Sequence, residues 1–232
     1  MEEIEQHWLY ALSAPMAALN GASYTAATYY EPADDDATDL QKWWGISNRR
    51  QLLDMLHMAD DGHATEVSNA YWQAARCLPS EWHDALEQLN PRQRIQYQFA
   101  YRTLADCGPG GVRAWDLGRM GFLLRSGLRK GYVSADESLW LQGRLALRAR
   151  HYYNDWNTYL AGYIYGKALW NCSDCSDDEL AQELARQGDE HWNRCILNNL
   201  RKGASELLAS LPWDLPLNLP ERPDTLEEDA WS

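Results

Sequence analysis

Hydrophobic positions recur every three or four residues along most of this chain, which is the spacing of one face of an α-helix. The pattern begins at Ile4, Trp8, Leu9 and Leu12 and returns in successive segments until about residue 202. No alternating pattern lasts long enough for a β-strand to be assigned, and no segment repeats with a period of about 20–50 residues. The pattern therefore predicts an all-α protein.

Helix-start and helix-stop residues divide this pattern into about eight helices. The clearest starts are Asn90 before Pro91, Asp155, and the capping-box pairs Ser134–Glu137 and Ser176–Glu179. At such positions a side-chain oxygen can accept a bond from a backbone N–H that has no partner within the helix. Residues 1–211 are predicted to form a single compact all-α domain. Repeated prolines followed by acidic residues predict an extended, Pro-rich acidic tail over residues 212–232.

The formal net charge of −13 is concentrated at the two ends of the sequence. Residues 1–40 carry −8 and residues 172–232 carry −9, whereas residues 41–171 carry +4. Nucleic-acid binding needs a concentrated basic surface, and the acidic ends would repel a polyanion. Nucleic acid is therefore disfavoured as a partner, and a basic protein fits the charge better.

The aromatic residues comprise 12 Trp and 13 Tyr but only 2 Phe. Trp and Tyr carry a polar group on an apolar body, so they suit half-buried positions and contact surfaces. The sequence leaves two interpretations open. These residues either form a large aromatic core or line a pocket or a partner surface.

The first residues are acidic and lack the positive and apolar regions of a secretory signal. No stretch approaches the ~18 apolar residues that a membrane-spanning helix requires. The chain has 5 Cys, an odd number at low density, which is typical of a protein with reduced thiols. We therefore predict a cytoplasmic protein with no membrane association. The sequence predicts no particular oligomeric state.

The predicted helix over residues 112–130 has apolar side chains on nearly all sides, which is typical of a buried helix. Asp116 and Arg119 lie on it three residues apart, so we expect them to pair with each other or with another helix. One interpretation is a structural ion pair. The other is a pre-organised acid or anion site, in which Asp116 and Arg119 are candidate catalytic residues and Trp115 forms a wall.

Four motifs follow one another in the middle of the chain: A-W-D-L-G-R at 114–119, G-Y-V-S at 131–134, Trp156, and G-K-A-L-W at 166–170. Together they resemble the bacterial domain-of-unknown-function family 1266, over about residues 43–171. The resemblance implies an α-helical unit and implies no reaction. Lys167 stands where the family pattern more often has Arg, and lysine cannot make a planar bidentate contact. The motifs supply the candidate binding residues, which are Trp115, Asp116, Arg119, Tyr132, Trp156, Lys167 and Trp170.

One set of metal-ligand spacings occurs near the end of the helical region. Cys172 and Cys175 are followed by His191 and Cys195, and together these types could bind one zinc ion tetrahedrally. The alternative is that His191 and Cys195 belong to a core stripe and that Cys172 and Cys175 are loop thiols. No other cofactor is predicted. A redox role for Cys172 and Cys175 is disfavoured by the acidic residues around them, although a helix start nearby opposes that effect.

The chain contains none of the Gly-x-Gly-x-x-Gly, P-loop, His-Glu-x-x-His or Gly-x-Ser-x-Gly patterns. His57 and His63 lie near a predicted helix end, where histidine more often satisfies carbonyls than catalyses. We predict a non-catalytic binding or regulatory protein with a protein partner, for example an inhibitor that covers a basic toxin or nuclease. The alternatives are an enzyme or small-ligand binder built around Asp116 and Arg119, and a zinc-stabilised module.

Overall fold

A computed structural model describes residues 1–29, 39–189, 198, 200 and 205–231. Within these ranges every regular element is helical, so the predicted all-α class is confirmed. The helices are α1 Glu3–Ala11, α2 Ala14–Asn20, α3 Leu40–Trp44, α4 Arg49–Met55, α5 Met58–Asp61, α6 Thr65–Ala74, α7 Pro79–Glu87, α8 Pro91–Cys107, α9 Arg113–Arg129, α10 Ala135–Tyr152, α11 Trp156–Asn171, α12 Asp177–Asp189 and α13 Ser205–Ser210. Among these described helices, none combines the length and the hydropathy that crossing a membrane requires.

The described ranges contain more helices than the eight that the pattern predicted, because several are too short to show a hydrophobic period. Helix α3 is an example: the Asp39 carboxylate accepts a 3.0 Å bond from the Lys42 N–H, and Gly45 ends the helix with a φ of 68°. Local caps of this kind support a helix of one turn once it packs against the rest of the protein. In helix α2, Pro15 occupies the first turn, where its missing N–H would have no partner within the helix, and Gly21 ends the helix with a φ of 62°.

The predicted helix starts of the longer helices are confirmed. Asn90 Oδ1 accepts from the Gln93 N–H at 2.9 Å, and Asp155 Oδ1 accepts from the Thr158 N–H at 2.7 Å. These starts could be predicted because a cap bonds to a backbone group only three residues away.

The chain folds into two compact units, each made of separate sequence segments. Unit 1 comprises Met1–Asp60, Leu117–Arg150 and Ile196–Ser232, and unit 2 comprises Asp61–Asp116 and His151–Cys195. The assignment of residues 1–211 to a single domain stays a prediction.

In unit 2, helix α8 packs against α6, α11 and α12. Helix α11 approaches the beginning of α9 and the turn before it closely at two glycines, Gly162 and Gly166. A Cβ added to Gly166 would collide with Trp115 Cβ, and one added to Gly162 would collide with the carbonyl oxygen of Gly111. The absence of side chains at these positions therefore lets α11 lie against the backbone of residues 111–115.

In unit 1, a fully buried arginine fixes the loop that follows α2. The Arg125 guanidinium donates to the carbonyl oxygens of Ser23 at 2.7 Å and Ala26 at 2.6 Å, and to Ser13 Oγ at 2.8 Å. Burial lowers the pKa of Arg125 to about 10. Backbone carbonyls thus replace much of the hydration that the buried cation gives up.

Residues 212–231 contain no helix and pack within unit 1. The Trp8 indole N–H donates to the Pro212 carbonyl at 3.0 Å. Asn218 donates its backbone and side-chain N–H groups to Glu5 Oε1 at 2.6 and 2.8 Å. Trp231 is buried. Proline content predicted the lack of helix, and the structure adds that this segment contributes side chains to the core of unit 1.

Arg49 joins this C-terminal segment to the start of α10. Its guanidinium donates to both carboxylate oxygens of Glu137, at 2.8 and 3.0 Å, and to both of Glu227, each at 2.9 Å. Burial alone would raise the pKa of Glu137, but the hydrogen bonds from Arg49, Thr225 and Ser134 outweigh it and lower this pKa to about 2. The ionised carboxylate is therefore the form that the fold binds.

We predict that Glu137→Gln lowers the free energy of unfolding at pH 7 by about 2–3 kcal/mol, since it breaks a largely buried, bidentate ion pair. The folded-state pKa of about 2 lies below the ordinary 4.5, so the contribution is present above pH 4.5 and is lost as the pH falls toward 2. Urea unfolding at several pH values measures this. Asp54→Asn, which removes an exposed pair with Arg50, is the control, and an equal loss from both variants would contradict the prediction.

Candidate functional site

A cavity of about 170 Å³ lies within unit 2. Its wall combines two indole rings with charged, polar and small apolar groups. The lining residues are His63, Ala64, Glu66, Val67, Arg92, Gln96, Val112, Trp115, Gly166, Leu169, Trp170, Cys172, Ser173 and Leu180. A concave, mixed surface of this kind is the usual form of a small-ligand site.

The aromatic wall comes from the two family-like motifs at 114–119 and 166–170. The rings of Trp115 and Trp170 are 5.7 Å apart between centroids and inclined by 38°. Trp115 is buried, whereas 44% of Trp170 is exposed, so Trp170 forms the more exposed part of the aromatic wall. Lys167 Nζ lies 5.7 Å from the Trp115 ring centroid, and burial lowers the pKa of Lys167. The structure therefore brings three of the predicted binding residues together.

The polar wall consists of residues that the sequence did not single out for binding. Arg92 and Gln96 are four residues apart on α8 and so share one face of this helix. Arg92 donates to the carbonyls of Ser173 at 2.7 Å and Cys175 at 2.9 Å. The spacing of Arg92 and Gln96 was visible in the sequence, but nothing there indicated that this face meets residues 172–175, about 80 positions away.

The exposed side chains of His63 and Glu66 complete the polar wall at the start of α6. His63 was predicted to satisfy carbonyls at a helix end. The structure places it directly before Ala64, the N-cap of α6, and among the lining residues of the cavity.

Asp116 is buried, as its place on an apolar helix predicted, and it does not line the cavity. Its Oδ2 atom accepts a 2.8 Å bond from the Ala64 N–H, a backbone group at the start of α6 that has no partner within that helix. The Asp116 carboxylate thus caps α6 from a distant part of the sequence. Arg119 belongs to unit 1, where its guanidinium lies 5.3 Å from the Trp44 ring centroid.

Tyr132 and Trp156, the remaining predicted binding residues, are not among the residues that line the cavity. Tyr132, in unit 1, accepts a 3.1 Å bond from Arg49 through its carbonyl oxygen. It follows Gly131, whose φ is 73°, and the G-Y-V-S motif ends at Ser134, where α10 begins. Trp156 is the buried first residue of α11, with its ring perpendicular to that of Tyr159. These two motif residues therefore contribute to helix connection and packing.

Half of the predicted zinc set can be placed. Cys172 is buried and Cys175 is half-buried, and the Cys175 N–H donates to the Cys172 carbonyl at 3.2 Å. His191 and Cys195 lie outside the described residues, so the four-ligand zinc site stays a prediction. Among the residues that are described, no group of three or more His, Cys, Asp or Glu side chains is arranged to hold a metal ion.

We predict that Asp116→Ala lowers the free energy of unfolding by about 2–3 kcal/mol, because it leaves the buried Ala64 N–H without its acceptor. Asp116→Asn keeps a side-chain oxygen that can accept this bond, so it should lower the free energy of unfolding by less. Urea unfolding gives the energies, and amide hydrogen exchange at residues 64–67 locates the effect. The control is Asp155→Ala, which removes the exposed cap of α11 and should cost about 1 kcal/mol. An Asp116→Ala cost no larger than this control would contradict the capping role.

The family described as "Protein of unknown function (DUF1266)" matches residues 39–213, a range that includes the cavity and extends beyond the predicted 43–171. The chain is similar to the uncharacterized protein YbeU of Escherichia coli K12, with 36% identity over 98% of each chain. It is also similar to the uncharacterized protein YbeR of the same strain, with 35% identity over 98% of each chain. No solved structure matches it significantly. The family match over residues 39–213 and these two similarities show that the chain belongs to the bacterial DUF1266 family.

Proposed function

We propose that this protein is a non-catalytic binding protein and that its ligand is a small amphipathic molecule held in the cavity beside Trp115 and Trp170. The observation that carries the proposal is the convergence of two indoles and several polar side chains on one cavity. Ligand sites usually combine such an apolar surface with a few polar groups that fix the orientation of the ligand.

The volume of the cavity limits the size of the ligand. At about 170 Å³ it is close to the ~150 Å³ of an apolar cavity that holds benzene. It is smaller than the ~300 Å³ at which sites for drug-sized ligands begin. A ligand of roughly one ring with a short polar substituent fits these limits.

The charges of the wall favour a particular chemistry. Arg92 supplies positive charge, Glu66 supplies negative charge, and Gln96 can donate as well as accept hydrogen bonds. Both signs in so small a space favour a zwitterionic or neutral polar molecule over a multiply charged anion such as a nucleotide. The apolar part of this molecule would lie against Trp115 and Trp170.

The positions of the catalytic candidates support a binding role over an enzymatic one. Asp116 and Arg119 are both buried, and neither lines the cavity. A general acid or base must come within hydrogen-bond reach of its substrate, whereas the Asp116 carboxylate already bonds to the Ala64 N–H.

A cytoplasmic location, expected from the sequence, is part of this proposal.

Thermal-shift and NMR screening with free amino acids and small aromatic carboxylates tests the proposal. We predict that a ligand identified in this way binds Trp170→Ala about tenfold more weakly, since losing the contact with one indole costs about 1.4 kcal/mol. The matched control is Trp72→Ala, which removes a tryptophan of the same unit that is 57% exposed and lies outside the cavity. Equal losses from the two variants, or chemical-shift changes confined to other regions, would contradict the site.

A second candidate function, binding to a basic protein, is favoured by large aromatic side chains on the surface. In unit 1, 69% of Trp43 is exposed, and in unit 2 Trp72 and Tyr101 are each more than half exposed. Tryptophan and tyrosine are enriched at protein interfaces, and the acidic ends of the sequence would attract a basic partner. An inhibitor of a basic toxin or nuclease is the specific form of this candidate.

Affinity capture from a native bacterial lysate at low and moderate salt, read by mass spectrometry, tests this second function. We predict a stoichiometric basic partner whose retention falls as salt rises, since screening weakens attraction between exposed charges. Trp43→Ala and Trp72→Ala should each reduce its retention, whereas Leu147→Ala, another exposed apolar position, serves as the control. A partner that is retained equally at both salt concentrations would contradict the electrostatic part of the proposal.

A further inference from the structure

The turn that follows α11 holds two cysteines in a geometry suited to a disulfide. The Cys175 N–H donates to the Cys172 carbonyl at 3.2 Å, which is the hydrogen bond of a β-turn. Such a turn keeps its first and last Cα atoms within about 7 Å of each other, and a disulfide requires about 4.4–6.8 Å. The backbone therefore needs little movement for the two sulfur atoms to be joined.

The side chains of the pair also point toward the same surroundings. Cys172 is buried in an apolar cluster with Phe99, Leu180 and Leu184, and Cys175 packs against this cluster from its partly exposed edge. The thiols are thus neighbours in space as well as in sequence.

Arg92 holds this turn in place from outside. Its guanidinium donates to the Ser173 carbonyl at 2.7 Å and to the Cys175 carbonyl at 2.9 Å, and it pairs with Asp177 at 3.3 Å. Because the turn is already ordered, closing a disulfide costs little additional conformational entropy. The other described cysteines lack this arrangement: Cys107 is buried and donates to the Thr103 carbonyl, and Cys77 is half-buried on another part of unit 2.

We propose that Cys172 and Cys175 form a reversible intrachain disulfide and that this turn is a thiol–disulfide exchange site for low-molecular-weight disulfides. Cys175, the more accessible thiol, attacks one sulfur of the small disulfide as its thiolate. A mixed disulfide forms and one small thiol leaves. Cys172 then displaces the second small thiol, so the Cys172–Cys175 bond forms as the mixed disulfide breaks. The two cysteines lose two electrons and two protons, and the oxidant becomes two thiols. Arg92, Cys172 and Ser173 also line the cavity, but the exchange reaction does not require a ligand there.

Equilibration of the full-length protein with mixtures of reduced and oxidised glutathione tests the proposal. After acid quenching and alkylation, peptide mass spectrometry should show that Cys172 and Cys175 have together lost two hydrogens and escape alkylation. Cys77 and Cys107 should be alkylated, because they remain free thiols. The equilibrium constant should be about tenfold larger for the folded protein than for the same chain in urea, because only the folded turn is pre-organised. An equal or smaller constant in the folded protein would overturn the proposal.

Single variants test the order of the two steps. Cys172→Ser should trap a glutathione adduct on Cys175, whereas Cys175→Ser should leave Cys172 largely unmodified because Cys172 is buried. Cys77→Ser is the matched control and should not change the equilibrium constant. Arg92→Gln should lower this constant, provided that circular dichroism shows a retained fold. An adduct that forms only on Cys172 would contradict the assigned roles.

Metal analysis of the purified protein distinguishes exchange from the zinc site predicted from the sequence. If the pair is an exchange site, both thiols react with oxidised glutathione without prior addition of a chelator. If stoichiometric zinc is present and both thiols resist oxidation until a chelator removes it, the exchange proposal is overturned and the four-ligand zinc interpretation is supported.

Discussion

Short helices leave many backbone groups without intrahelical partners, and in this protein buried charged side chains supply several of them. The Asp116 carboxylate accepts from the Ala64 N–H at the start of α6. The Arg125 guanidinium donates to the carbonyls of Ser23 and Ala26 after α2. In both cases the hydrogen bond offsets the free-energy cost of burying the charge, and it also gives the backbone group a partner. The irregular segments therefore have defined positions although their own sequences contain little hydrophobic pattern.

This constraint explains which helix starts could be predicted from the sequence and which could not. Starts such as those at Asn90 and Asp155 were predictable because the capping atom lies three residues from the group that it bonds. The capping of α6 was not predictable, because its acceptor is 52 positions away on Asp116. The spacing of Asp116 and Arg119 suggested a pair, and it correctly indicated burial. That the two side chains pair with each other stays a prediction, and the spacing could not indicate that the Asp116 carboxylate accepts from the Ala64 N–H at the start of α6.

The candidate site shows the same limit. Trp115, Lys167 and Trp170 could be selected from motifs, since each motif is continuous in the sequence. Arg92 and Gln96 could not be selected in this way, because nothing in the sequence of α8 indicates that it packs against α11 and α12. The family motifs also turn out to serve different purposes. The first and last provide the aromatic wall of the cavity, whereas G-Y-V-S shapes a connection between helices.

The contacts between α1 and residues 212–218 have a consequence for how the chain is made. Glu5 bonds to Asn218, 213 positions later, and Trp8 bonds to Pro212. A ribosome adds about 5–20 residues per second, so α1 waits on the order of 10–40 s after its synthesis for these partners to emerge. During that interval the apolar face of α1, with Trp8 and Leu9, lacks part of its packing. Residues 212–218 must therefore be made before the packing around α1 in unit 1 is complete.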